Sequence, residues 1–343
     1  MDNQNISSKQ STKKTPSKRK AKETNICHLD LVESGGGMWK VSSLPAIKYC
    51  LESGAKLRRL AGVSGGGLIT GLLSSGITPI HMYATLPQVN NVNLFDAFQI
   101  PTRLREIFPD YLLVNNKAGL LPKKRDLRLG ELPIDLSIAC ARLNVSGGII
   151  DVLRRLGRML QHFTFSSLFS LTTELASFLS KLKIQEAMQE AITKTESVVL
   201  STETTPDISI IDAMTASCAF FVSYPVNSED LFDGFYFSNL PTRAVIRPGQ
   251  SANILAHQTD PFIGNTWANW FLRKVFNEAS IEMLQSRFNE DEELASKHGI
   301  LIYPKVQEIA SPFSASLTPS IVSVGQDCLA RHRFEIDRNL LKR

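Results

Sequence analysis

Residues 62–66 have the sequence GVSGG, in which a serine is flanked by glycines. Apolar residues 57–61 precede this motif and helix-like residues 68–73 follow it, so we expect Ser64 on a tight turn between a strand and a helix. Such a turn needs glycines, because side chains there would collide with the neighbouring strand and helix. The pattern is typical of a nucleophile elbow and predicts that the Ser64 hydroxyl attacks an ester.

A second glycine tract, SGGG at residues 34–37, directly follows the strand-like residues 28–33. Residues 42–53 have room for one crossover helix between the two tracts, which makes the flanking strands parallel. Both glycine turns then emerge at the carboxyl edge of the sheet. We therefore expect N–H groups of the first tract to stabilise the oxygen that becomes negative when the serine attacks. Neither glycine tract has the spacing of a phosphate-binding glycine loop, so a phosphate site is not expected.

Composition indicates a globular chain. Its 343 residues fit one large α/β domain, or such a domain with a smaller insertion. Residues 1–25 hold seven basic and two acidic residues, so this tail alone accounts for the formal net charge of +5. We expect the tail to be disordered and to act as a nuclear-type address, as an adhesive for anionic lipid, or as a solvated segment without a dedicated role. The remainder is neutral, so no nucleic-acid partner is expected.

No apolar region typical of a secretory signal follows the charged start, and no uncharged stretch approaches the roughly 18 residues of a spanning helix. We expect a cytoplasmic protein that is peripheral at membranes. The five cysteines are scattered without CxxC spacing, which favours reduced thiols. Neither a metal nor a cofactor is expected.

Short strands alternating with helices predict a mostly parallel sheet that is covered on both faces. Residues 149–193 are predicted to form a helical insertion, which is either a lid in the lipid headgroup layer or a helical pair packed on the sheet. Residues 109–132 are expected to be irregular. Residues 266–298 are expected to form one long helix that ends at Gly299.

A serine hydroxyl is a poor nucleophile near neutral pH, so Ser64 needs a base within hydrogen-bond reach. Two arrangements are open. In the order of an α/β-hydrolase triad, Asp233 would follow the serine and His257 or His298 would be the base. In the other arrangement, an aspartate contacts the serine directly.

The order and spacing of four blocks resemble those of the patatin-like phospholipases across residues 28–245. The blocks are the two glycine tracts, ASCA at residues 216–219, and Asp233-Gly234 with Asn239 and Pro241 downstream. This resemblance implies a three-layer α/β/α sandwich with a mostly parallel sheet, with the helical segment as a variable insertion. It also implies a Ser-Asp dyad and lipid acyl hydrolysis of the phospholipase A type, without metal.

Carried over to this sequence, the resemblance makes Ser64 the nucleophile and Asp233 the base. The backbone N–H groups that it assigns to the oxyanion hole belong to Gly35, Gly36, Gly37 and Gly65.

Two positions depart from the family pattern, and a third carries a tryptophan next to the predicted oxyanion hole. Phe235 stands where the family commonly has a second glycine after the Asp-Gly pair. Lys40 lies one position beyond the usual basic residue. Trp39, beside the predicted oxyanion hole, is interpreted as an acyl-contacting or membrane-dipping aromatic, or as an ordinary packed tryptophan.

The sequence therefore predicts that residues 26–343 form a serine lipid acyl hydrolase, which cleaves fatty-acyl esters of membrane phospholipids through an acyl-enzyme. An activating protein partner and delivery into a host cell without a signal peptide are compatible with this prediction. The alternative is a catalytically silent patatin-like module that binds lipid or protein.

Overall fold

The computed structural model describes residues 26–85, 98–116, 123–145, 147–161, 179, 183–220, 222–259, 262, 267–306 and 318–342. The predicted basic tail and much of the predicted insertion lie outside these residues. No helix within the described ranges has the length and apolar character that crossing a membrane requires.

Ten strands are described. They are β1 (His28–Glu33), β2 (Lys56–Val63), β3 (Leu113–Asn116), β4 (Lys123–Asp126), β5 (Asp135–Leu143), β6 (Thr195–Ser201), β7 (Tyr224–Val226), β8 (Glu229–Asp233), β9 (Ile254–His257) and β10 (Gly299–Ile302). Eight of them form one sheet in the order β10-β9-β1-β2-β5-β8-β7, with β6 also paired to β5. The first five strands of this order are parallel to one another, and β6, β7 and β8 are antiparallel additions.

The described α-helices are α1 (Leu44–Glu52), α2 (Gly65–Ser74), α3 (Pro79–Thr85), α4 (Ile100–Ile107), α5 (Pro109–Leu112), α6 (Gly147–Gln161), α7 (Ile184–Thr193), α8 (Ile210–Ser217), α9 (Trp267–Val275), α10 (Glu278–His298) and α11 (Thr318–Glu335). They lie on both sides of the sheet. The predicted α/β/α sandwich with a mostly parallel sheet is confirmed.

Local sequence accounts for the unit that carries the two glycine tracts. The parallel strands β1 and β2 end in nearly continuous buried residues, because helices cover both faces of the sheet. Between them, α1 begins with a proline in its first turn and buries Leu44, Ile47 and Cys50 at helical spacing. The predicted crossover helix is therefore present.

Two predicted elements differ from the structure. The predicted helix over residues 266–298 is two helices, because Asn277 caps α10: its Oδ1 accepts a hydrogen bond of 2.9 Å from the Ser280 N–H. The predicted irregular segment over residues 109–132 contains α5 and the antiparallel pair β3–β4, which begins at Leu113.

The described helices of the predicted insertion, α6 and α7, belong to a second hydrophobic cluster. Leu153 and Leu156 of α6 and Met188 of α7 are fully buried there, together with Phe232 and Tyr236 near the end of β8. The helical character predicted for the insertion is thus seen in α6 and α7, both packed against the body of the protein.

Candidate active site

Ser64 lies on the turn between β2 and α2, with φ 52° and ψ −126°. A non-glycine residue in this region carries strain on the order of 1–3 kcal/mol, which the surroundings must offset. The Ser64 N–H donates a 2.8 Å hydrogen bond to Ser217 Oγ at the end of α8, and Ser217 Oγ donates a 2.6 Å bond to the Ala139 carbonyl of β5. The turn is therefore held by a buried hydroxyl from a separate helix.

Strand register brings Asp233 next to this turn. Ala139 of β5 pairs with Val63, the last residue of β2, and Cys140 pairs with Asp233, the last residue of β8. Residues 139 and 140 also pair with β6, which occupies the opposite edge of β5. Strands β2 and β8 therefore lie on the same edge of β5 and approach each other from opposite directions, so that their ends meet.

The Asp233 carboxylate is 1% exposed and close enough to the Ser64 side chain for the serine to influence its pKa. Its Oδ1 also accepts a 2.9 Å bond from the Phe235 N–H. Burial raises the pKa of Asp233 to about 7, although the bond from the Phe235 N–H and the nearby Ser64 side chain oppose the shift. A carboxylate with this pKa is half protonated near neutral pH, which suits it to exchange a proton with a serine hydroxyl.

The first glycine tract packs directly on the serine turn. A Cβ atom placed on Gly35 would lie 3.4 Å from Ser64 Cβ, and one placed on Gly65 would lie 2.5 Å from the Gly37 carbonyl oxygen. Gly36 has φ 135°, which side-chain-bearing residues rarely adopt. Only glycine at these positions allows the two turns to approach so closely.

The four predicted oxyanion donors do not have the same surroundings. The Gly35 N–H is bonded to both oxygens of Asn239, at 3.0 Å to Oδ1 and 3.1 Å to the carbonyl. The N–H groups of Gly36, Gly37 and Gly65 have no hydrogen-bond acceptor among the residues that the structure describes. Three of the four donors are thus available to an oxyanion, and the Gly35 N–H is engaged elsewhere.

Neither histidine of the triad alternative takes part in the contact between Ser64 and Asp233. His257 is buried at the end of β9, where its Nδ1 lies 2.8 Å from Glu33 Oε1. His298 is the last residue of α10. The structure thus brings Asp233, and not His257, to the end of the strand beside the Ser64 turn.

Lys40 and Trp39 have structural positions beside the glycine tract. Lys40 is 1% exposed, with Nζ 2.8 Å from Glu33 Oε2 and donating a 2.9 Å bond to the His257 carbonyl. Burial lowers the pKa of Lys40, while the Glu33 carboxylate opposes that shift. Trp39 is fully buried in the hydrophobic cluster that also contains Leu31 and Val41, so it is a packed tryptophan and not a membrane-dipping aromatic.

Phe235, the departure from the family pattern, belongs to an aromatic cluster beside Asp233. Its ring centroid lies 5.5 Å from those of Phe220 and Phe288 and 5.9 Å from that of Phe262. The side chain is 5% exposed. The residue after the Asp-Gly pair thus anchors the aspartate turn to the second hydrophobic cluster.

No group of three or more His, Cys, Asp or Glu side chains in the described ranges is arranged to hold a metal ion. All five cysteines are free.

A mostly parallel sheet that carries a serine on a strand-to-helix turn, beside a buried carboxylate, is an arrangement typical of α/β hydrolases. The model of the patatin-like phospholipase family matches residues 31–246, well over half of the chain. The chain belongs to this family, and the membership supports a lipid-hydrolysing esterase. None of the curated proteins compared with the chain matches it.

Two solved structures illustrate the wider similarity. VipD from Legionella pneumophila is 14% identical, with a TM-score of 0.43, over 89% of this chain and 66% of VipD. ExoU of Pseudomonas aeruginosa, in its complex with SpcU from the type III secretion system, is 13% identical, with a TM-score of 0.34, over 89% of this chain and 51% of that one. The chain thus spans between half and two thirds of the length of these proteins.

Proposed function

We propose that the chain is a serine lipid acyl hydrolase of the phospholipase A type, in which Ser64 and Asp233 form the catalytic dyad. The observation that carries the proposal is the meeting of the ends of β2 and β8 on one edge of β5, which brings the buried Asp233 carboxylate beside the Ser64 turn. Membership of the patatin-like phospholipase family supports a fatty-acyl ester as the substrate.

In the first half-reaction, Ser64 Oγ attacks the ester carbonyl carbon while Asp233 accepts the hydroxyl proton. Negative charge collects on the carbonyl oxygen, where the free N–H groups of Gly36, Gly37 and Gly65 are available as donors. The ten-residue helix α2 begins beside this oxygen, and its N-terminal partial charge also favours the anion. One such donor is typically worth about 10²- to 10³-fold in rate.

The tetrahedral intermediate then collapses. The bond from carbon to the alcohol oxygen breaks, and the lysophospholipid leaves as it takes the proton from Asp233. This step leaves a fatty acid esterified to Ser64. Water attacks that ester with Asp233 again as the base, which releases the free fatty acid and restores the serine. Positioned base catalysis of this kind is typically worth about 10²- to 10⁴-fold.

The proposal includes membrane phospholipid as the substrate, action at a membrane surface, and a cytoplasmic site of action. We also propose that a protein partner activates the enzyme and that the enzyme is delivered as an injected effector. The assay below tests for an activator by adding a cell lysate.

The test is release of free fatty acid from mixed vesicles of phosphatidylcholine and phosphatidylserine, with and without a eukaryotic cell lysate. We compare wild type with Ser64→Ala and Asp233→Asn. Asp207→Asn is the matched control, because this aspartate is 87% exposed. We expect release from wild type and Asp207→Asn and none from Ser64→Ala or Asp233→Asn.

A fluorophosphonate serine probe separates an enzyme from a silent module. An enzyme of this mechanism reacts at Ser64. Absence of labelling and of fatty acid release from wild type, both with and without lysate, contradicts the proposal and favours a module that binds lipid or protein.

A further inference from the structure

The peptide group between Gly35 and Gly36 is held by buried side-chain hydroxyls. The Gly35 carbonyl oxygen accepts a short hydrogen bond from Thr259 Oγ1 and a 3.0 Å bond from Ser34 Oγ. Thr259 is 1% exposed and Ser34 is fully buried. Solvent therefore does not compete for this carbonyl.

Fixing that carbonyl also fixes a neighbouring donor. The peptide group is planar, and none of the peptide bonds in the described ranges is cis, so the Gly36 N–H points opposite to the Gly35 carbonyl. The same geometry applies one residue later, where the Gly36 carbonyl accepts a 3.1 Å bond from the Trp39 N–H and thereby sets the Gly37 N–H. Each free N–H of the tract is thus directed by whatever binds the carbonyl of the same peptide group.

Thr259 is itself fixed on both sides. Its N–H donates a 2.9 Å bond to Ser34 Oγ, and its carbonyl accepts a 2.8 Å bond from Asn239 Nδ2. Asn239 Oδ1 in turn accepts from the Gly35 N–H. Because Asn239 follows Asp233 in the chain, the segment that carries the base also holds the glycine tract.

We infer that Thr259 is a positioning residue whose hydroxyl aims the Gly36 N–H at the oxyanion. The inference rests on the proposed function and adds to it a residue from outside the family blocks. Valine has nearly the shape of threonine but lacks the hydroxyl, so Thr259→Val leaves the Gly35 carbonyl with Ser34 Oγ alone. Serine keeps the hydroxyl and lacks the methyl group, so Thr259→Ser is the matched variant.

The experiment measures kcat and KM on a soluble short-chain p-nitrophenyl ester, at a temperature well below the melting point of each variant. For Thr259→Val we expect kcat to fall by up to about 10²-fold with KM unchanged, because a misdirected donor loses much of the value of an oxyanion contact. We expect Thr259→Ser to retain a kcat close to that of wild type. Fluorophosphonate labelling of Ser64 should slow in Thr259→Val and not in Thr259→Ser.

Wild-type kcat in Thr259→Val overturns the inference, and so does an equal loss of kcat in both variants. A loss that appears in KM alone also overturns it. These results leave the dyad intact, because wild type still turns over. If wild type is neither labelled at Ser64 nor active, the proposed function fails, and the inference fails with it.

Discussion

Replacing Asp233 by asparagine should stabilise the folded protein at alkaline pH. Burial raises the pKa of this carboxyl from 3.8 to about 7. A carboxyl whose folded-state pKa lies above its unfolded value holds its proton more tightly in the folded protein. Its contribution to stability is therefore fully present below about pH 4 and is lost as the pH rises to about 7.

The size of this effect follows from the shift. A difference of about 3 pKa units corresponds to roughly 4 kcal/mol, since one unit is about 1.4 kcal/mol. Asparagine has the same shape and no such titration. Its side-chain oxygen can accept from the Phe235 N–H, and its NH₂ group can donate to the Ser64 hydroxyl. We expect Asp233→Asn to exceed wild type in stability by up to about 4 kcal/mol near pH 8, with the advantage disappearing near pH 4.

The measurement is urea unfolding of both proteins at intervals across this pH range, with the difference in unfolding free energy plotted against pH. Asp207→Asn serves as the control, because its exposed carboxyl should give no comparable slope. A difference that does not change with pH would refute the reasoning, and so would an Asp233→Asn variant that is less stable than wild type near pH 8.

Three further substitutions probe the surroundings of the dyad. Ser217→Ala removes a buried hydroxyl and its bonds to the Ser64 N–H and the Ala139 carbonyl, and we expect urea unfolding to show a loss of about 1–3 kcal/mol; wild-type stability would contradict the role of this hydroxyl in holding the turn. Gly65→Ala places a Cβ 2.5 Å from the Gly37 carbonyl oxygen and should nearly abolish fluorophosphonate labelling, whereas the control Gly147→Ala, which meets nothing within 4 Å, should label normally. His257→Gln should lower the melting temperature but keep turnover per labelled serine; a loss of about 10²-fold or more would restore the triad alternative.

The two glycine turns could be predicted from sequence because their cause is local. A tight turn that approaches another backbone excludes side chains, so glycines mark it in the sequence, as at Gly36 and Gly65. The crossover helix α1 likewise shows its buried stripe and proline start in the sequence itself.

The remaining features depend on contacts between distant segments. The meeting of Ser64 and Asp233 arises from the register of two strands on one edge of β5, which neither strand encodes alone. Thr259 lies two residues after a short strand, and no motif distinguishes it from an ordinary threonine. The sequence places Ser217 in a family block and in a helix of small residues. Its hydrogen bond to the serine turn could not be predicted, because that bond forms only when the helix packs on the sheet.

The pH dependence of fluorophosphonate labelling, with the modified residue identified by peptide mass spectrometry, tests the dyad most directly. We expect labelling of Ser64 in wild type, with a rate that rises through about pH 7 and then levels off as Asp233 loses its proton. We expect no label in Ser64→Ala, and in Asp233→Asn a rate about 10²- to 10⁴-fold lower without that rise. Labelling of a different serine, or an Asp233→Asn protein with the wild-type rate and pH profile, would contradict the proposed dyad.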